Sequence, residues 1–157
     1  MNKVIRVLWV EDGARFELAY LTAPVYLESG YDISVAENPS EALEMLVRNR
    51  YDVLIVDIRL PPGNTQDWIN LYKEITNQGK PANLGLKLLK SILKPREAEI
   101  PFNFKLDWLT PDKIGVFTIE GSQEVLESLK ELGIHVIQQK TVTMPDTALL
   151  SLIKRLC

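Results

Sequence analysis

Cysteine and histidine are almost missing from this sequence. Its 157 residues hold one of each, Cys157 and His135. A lone cysteine excludes an internal disulfide, and one cysteine with one histidine is too few ligands for a structural zinc site. Charge of one sign is also lacking. The chain has 18 basic and 21 acidic side chains, a net charge of −3, which argues against a broad nucleic-acid surface. No apolar run is long enough to cross a bilayer, and the first residues, Met1 to Arg6, form no signal-peptide block. Internal repeats, low-complexity tracts and an interior linker are absent as well. The expectation is one cytoplasmic domain over 1–157, with neither nucleic acid nor membrane as a partner. What is present suits a packed core, since 46% of residues are apolar and 25% are charged.

Five apolar runs read as strands. Val4 to Val10 stops at Glu11-Asp12-Gly13, and Tyr31 to Ala36 is short. Val53-Leu54-Ile55-Val56 is an unbroken apolar run ending at Asp57, as in a strand covered on both faces. Ile114 to Thr118 and His135 to Gln138 complete the set. Between them lie helical patterns. These are Ala14 to Leu27, kinked or ended by Pro24; a helix opened by Asn38-Pro39 and running to about Arg48; Gln66 to Asn77; Leu84 to Leu93; Ser122 to Leu132, stopped at Gly133; and Pro145 to Leu156. Phe102, Phe104, Leu106 and Trp108 alternate with polar residues, which predicts an extended segment. Strands alternating with helices predict an α/β fold, a parallel sheet with helices on both faces.

In such a fold the functional crevice lies beyond the carboxyl ends of the strands. Glu11-Asp12 end the first strand, Asp57 the third and Thr118 the fourth, and Lys140 follows the fifth. Three converging carboxylates repel one another, so one takes up a proton unless a cation is present. A hard divalent ion such as Mg²⁺ suits their oxygens. A metal-backed aspartate beside an ammonium and a hydroxyl is suited to holding a phosphoryl group, with Asp57 as nucleophile. No glycine-rich phosphate loop follows the first strand, and Glu11-Asp12 would repel a phosphate there, which counts against a flavodoxin-like cofactor binder.

The pieces Val7-Leu8-Trp9-Val10-Glu11-Asp12, Asp52-Val53-Leu54-Ile55-Val56-Asp57, Leu60-Pro61, Leu84-Gly85-Leu86-Lys87-Leu88-Leu89, Val116-Phe117-Thr118 and Lys140 stand in order along the chain. Together they resemble the receiver domain of the two-component response regulator family. The resemblance implies a flavodoxin-like (βα)5 doubly wound parallel sheet of order 2-1-3-4-5. It implies Asp57 as phosphoacceptor, with a histidine kinase or histidine phosphotransfer protein as donor and self-catalysed transfer and loss of phosphate. It implies Mg²⁺ bound by Asp12, Asp57 and the main-chain carbonyl of Arg59, with Glu11 helping through water. Thr118 and Lys140 would contact the phosphoryl group and relay its presence. A downstream protein target and a second copy of the chain are the further partners it implies.

The chain departs from that pattern in four places. Ile137 stands where the family often has a switching aromatic, and Thr141 where proline usually follows the lysine. Two insertions enlarge the chain. One, 63–83, follows the third strand; the other, 94–113, precedes the fourth. Arg59 and Glu120, two residues after Asp57 and Thr118, stand at positions that the resemblance implies flank the line of water attack; the sequence leaves open whether they pair. The competing reading is a pseudo-receiver, an interaction module that works without phosphorylation.

Overall fold

The structure, a computed structural model, describes residues 3–157. Five strands carry the frame: β1 (Ile5–Val10), β2 (Tyr31–Ala36), β3 (Val53–Val56), β4 (Ile114–Thr118) and β5 (Val136–Gln139). All neighbouring pairs are parallel, in the order β2-β1-β3-β4-β5, as the resemblance implies. The helices are α1 (Ala23–Leu27), α2 (Pro39–Arg48), α3 (Gln66–Asn77), α4 (Leu84–Leu93), α5 (Gln123–Glu131) and α6 (Ala148–Arg155).

The sheet is covered on both faces, and this explains its unbroken apolar runs. Side chains alternate between faces along a strand. Leu8 and Val10 of β1, Leu54 and Val56 of β3, and Ile114 and Val116 of β4 join one core, packed with Leu46, Trp68, Leu88, Leu89 and Leu129 from α2, α3, α4 and α5. Val7, Trp9, Val53, Ile55 and Phe117 point the other way, into a second core with Val25 of α1 and Leu149, Leu152 and Ile153 of α6. Gly115 allows α6 to approach β4, because a Cβ there would lie 2.8 Å from Leu156 Cδ1.

Local signals set most helix boundaries. The Asn38 side chain accepts a hydrogen bond from Glu41 N at 2.8 Å and Pro39 occupies the first turn of α2. Ser122 Oγ caps α5 through Val125 N, and Gly133, at φ 82°, ends the turn beyond it.

Two expectations are corrected. The stretch Ala14 to Leu27 is not one helix. Residues 12–18 form turns, Ala19–Leu21 is a 3-10 turn, and α1 begins afresh with Pro24 in its first turn. Proline has no N–H to give a preceding helical turn, so it opens this helix rather than ending one. The 102–108 alternation also forms no strand. Phe102 is buried and Leu106 and Trp108 are partly buried against the first core, while Phe104 stays 58% exposed. A segment with no strand to pair with cannot satisfy its backbone in a ladder, so packing of the large side chains decides its path.

Candidate functional site

The ladder hydrogen bonds run one residue past the strand ends. Glu11 N donates to Ala36 O at 2.8 Å, Asp57 N to Val10 O at 3.0 Å, and Lys140 N to Thr118 O at 2.9 Å. The side chains that follow the strands are therefore fixed by the sheet and converge on one rim.

Glu11 and Asp57 are buried there, 2% and 3% exposed. The ammonium of Lys140 donates to Asp57 Oδ2 at 2.9 Å and to Glu11 Oε1. Glu11 Oε2 accepts from Gly13 N at 3.0 Å, and Asp57 Oδ1 accepts a long contact from Arg59 N at 3.4 Å. Asp12 is exposed, yet its carboxylate joins those of Glu11 and Asp57 in a cluster whose oxygens lie within 4.8 Å of one another. The Phe117 ring lies 5.9 Å from the Lys140 ammonium.

One ammonium faces two buried carboxylates. Burial, then a hydrogen bond to Asp12, then the charge of Asp57 push the Glu11 carboxyl up to about 8, against the opposing pull of Lys140 and Gly13 N. Burial acts to lower Lys140, but the charges of Asp57 and Glu11 together outweigh it, and its ammonium is held above the ordinary lysine value. The site thus gathers more carboxylates than its lysine can neutralise, and burial holds the Glu11 carboxyl well above its ordinary value.

Thr118, 1% exposed, lies at the end of β4 and its Oγ1 accepts from Glu120 N at 3.1 Å. That leaves the hydroxyl hydrogen free to donate elsewhere. Arg59 turns its side chain to Glu120, donating from Nε at 3.0 Å and Nη2 at 2.8 Å to one oxygen. Glu120 Oε1 accepts from Ser122 N at 3.1 Å. Those bonds, the Arg59 guanidinium first, hold the Glu120 carboxyl below its usual range. The structure therefore brings Glu11, Asp12, Asp57 and Lys140 into one cluster. Thr118 adjoins it through the main chain of Lys140, and Arg59 pairs with Glu120, a contact the sequence left open.

No family model matches the sequence, and no curated protein matches it either. Solved structures do match, over nearly the whole chain. The non-phosphorylated HemR receiver domain from Leptospira biflexa is 24% identical with a TM-score of 0.62, covering 97% of this chain and 93% of that one. The Vibrio cholerae chemotaxis protein CheY4 is 19% identical with a TM-score of 0.60, covering 98% and 99%. The Mn²⁺-bound form of response regulator Rcp1 is 12% identical with a TM-score of 0.63, covering 96% and 90%.

The chain has the fold of a response regulator receiver domain. Within this receiver fold the acidic rim has the chemistry of a divalent-cation site, because its donors are all carboxylate oxygens and its charge is only partly neutralised. Two features of the rim escaped the residue-by-residue reading. Gly85 opens α4 hard against the acceptor loop: its N–H donates to Ile58 O at 2.9 Å, and a Cβ would lie 1.9 Å from Asp57 O. The helix expected over Gln66 to Asn77 forms as α3, but its placing of Tyr72 and Thr76 in a cleft with Asp12 and Arg59 was not foreseen. Only the residue type at position 85, inside an otherwise apolar helix start, hinted at the first.

Proposed function

We propose that this chain is a phosphoacceptor switch in a phosphorelay, with Asp57 taking a phosphoryl group from a histidine kinase or histidine phosphotransfer protein. The contact between Lys140 and Asp57 carries this reading. It joins a buried nucleophilic carboxylate to the cation needed to steady phosphoryl oxygens. Asp12, Asp57 and the Arg59 carbonyl, with Glu11 through water, would hold a Mg²⁺ ion, which would supply further positive charge for those oxygens.

In the transfer, an Asp57 oxygen attacks phosphorus and the donor P–N bond breaks. Its electron pair returns to the ring nitrogen, and an acyl phosphate remains on Asp57. Lys140 then moves its ammonium from the two carboxylates to a phosphoryl oxygen. The Thr118 hydroxyl, whose oxygen already accepts from Glu120 N, donates to another. These two shifts reorganise the ends of β4 and β5 and so change the surface offered to a downstream protein target or to a second copy of the chain. Such relays operate in the cytoplasm, and among the described residues no helix is long and apolar enough to cross a membrane.

The decisive experiment is intact mass after incubation with Mg²⁺ and phosphoramidate. One acyl-phosphate adduct on the wild type and none on Asp57→Asn is the expected result. An adduct that survives Asp57→Asn, or no adduct at all, rejects the proposal. The competing pseudo-receiver reading draws on Ile137, aliphatic and half-buried in β5. It predicts that Mg²⁺ with beryllofluoride leaves the amide NMR spectrum unchanged, whereas a switch shifts resonances through β4 and β5.

A further inference from the structure

The end of the sheet opposite the acidic rim carries a cleft of about 770 Å³. Leu93 ends α4 there and Leu132 follows α5, because helices between parallel strands run back to the amino ends of the strands. Most of the remaining wall comes from the 94–113 insertion. Residues 94–110 of that insertion form neither helix nor strand, and an irregular stretch of that length within a domain is typically a binding loop. The size of the cleft lies within the range of small-molecule sites.

The charge of this cleft runs against that of the chain, which has more acidic than basic side chains. Its lining holds three cations, Lys94, Arg96 and Lys105, against one carboxylate, Asp107. Among the described residues Arg96 and Lys105 have no ion-pair partner, and Lys94 has only Glu97 at 3.9 Å. A smaller adjoining cleft shares Phe104 and Lys105 and is lined further by Arg48 and Arg50, with no carboxylate. The Phe104 ring stands 58% exposed among these cations. It leans on the buried Phe102 ring, with centroids 5.6 Å apart and planes at 42°. An exposed ring backed by a buried one is a stacking surface.

An occupant that satisfies this lining supplies a flat ring for Phe104 and more than one negative charge for the cations. Guanidinium and ammonium groups together suit phosphate oxygens, the first as a two-pronged donor and the second as a point charge. A bare phosphate leaves the ring uncovered, and an uncharged base leaves the cations unpaired. A long nucleic-acid strand is disfavoured by the net charge of −3.

We infer that this cleft binds a free nucleotide, with its base stacked on Phe104 and its phosphates held by Arg96 and Lys105. The inference stands apart from the phosphoacceptor reading, since the cleft shares no residue with the acidic rim.

The test is an amide NMR titration of the whole chain with ADP. It is run in chelator, so that no metal-bound nucleotide is drawn to the carboxylates. Saturable shifts at Asn103, Phe104 and Lys105 are expected, and the same affinity in Asp57→Asn. Adenosine and pyrophosphate, each with half of the recognised chemistry, are expected to bind at least about 10-fold more weakly. Phe104→Ala is expected to weaken ADP binding by about 5-fold or more, the worth of a stacked base, and Phe104→Tyr to stay within about 2-fold of wild type. Arg96→Gln and Lys105→Gln are each expected to cost about 10-fold, the worth of a hydrogen bond to a charged group. All four side chains are exposed, so their urea midpoints are expected to match wild type and to separate lost binding from lost folding. The absence of saturable shifts with ADP overturns the inference. So does pyrophosphate binding as tightly as ADP, or an affinity unmoved by Phe104→Ala and Arg96→Gln. A short oligoadenylate binding more than about 100-fold tighter than ADP overturns it in favour of a strand.

Discussion

Lys140 donates from its ammonium to Asp57 Oδ2 at 2.9 Å, although 83 residues separate them in the chain. Each stands one residue beyond a strand, β5 and β3, with β4 between those strands in the sheet. The contact thus spans the full width of β4, and only a long side chain reaches across it.

Lys140→Met leaves two buried carboxylates facing each other without their cation. Removing one partner of a buried ionic cluster typically costs about 3 kcal/mol or more. Urea denaturation in chelator is expected to show that loss. Adding Asp57→Asn to Lys140→Met is expected to recover a large part of it, because the stranded charge is gone. Equal stabilities for wild type and Lys140→Met count against the buried cluster.

The metal-free protein is expected to lose stability as pH rises from about 4.5 to about 8. Glu11 has a carboxyl of ordinary value 4.5 raised to about 8 in the fold. Between those values the folded state holds a proton that the unfolded state has released, so raising pH favours unfolding. Its contribution is complete below 4.5 and gone once pH passes the folded value. Melting temperature against pH measures this, and Glu11→Gln is expected to flatten the curve. Mg²⁺ is expected to oppose the effect by favouring ionised carboxylates.

Arg59→Ala is expected to shorten the lifetime of the acyl phosphate several-fold, on the order of 10-fold at most, with little change in stability. The Arg59 side chain is 56% exposed, so its pair with Glu120 contributes under about 1 kcal/mol to folding. The expected effect follows from the proposal that the Arg59–Glu120 pair covers the approach of water to a phosphorylated Asp57. Decay of the adduct, followed by intact mass in the wild type and in Arg59→Ala, measures it.

Gly85→Ala is expected to destabilise the fold by about 1–3 kcal/mol and to slow phosphorylation, because the added Cβ would lie 1.9 Å from Asp57 O. The neighbouring atoms are backbone, so α4 or the acceptor loop must shift. Chemical denaturation and adduct formation are expected to change together. An unperturbed Gly85→Ala protein contradicts the close approach of α4.

The doubly wound architecture was legible in the sequence because it is written in hydrophobic pattern. Unbroken runs such as Val53-Leu54-Ile55-Val56 admit only a strand covered on both faces, and charged or polar residues mark where each strand leaves the core. Asp57, Glu11, Asp12, Thr118 and Lys140 were legible for the same reason, since a parallel sheet places the carboxyl ends of its strands on one rim. The start of α1 and the path of 102–108 were misread. In both, local pattern favoured a regular element, while proline chemistry and the lack of a pairing strand decided otherwise.

Alternation of apolar runs and turns is a local property, and it determined by itself the strands, their order along the chain and the residues at their ends. How burial raises the Glu11 carboxyl, how Arg59 meets Glu120, and where the 63–83 insertion places Tyr72 depend on groups far apart in sequence. Burial, charge balance and close packing act only between neighbours in space, so the tertiary structure alone decided them.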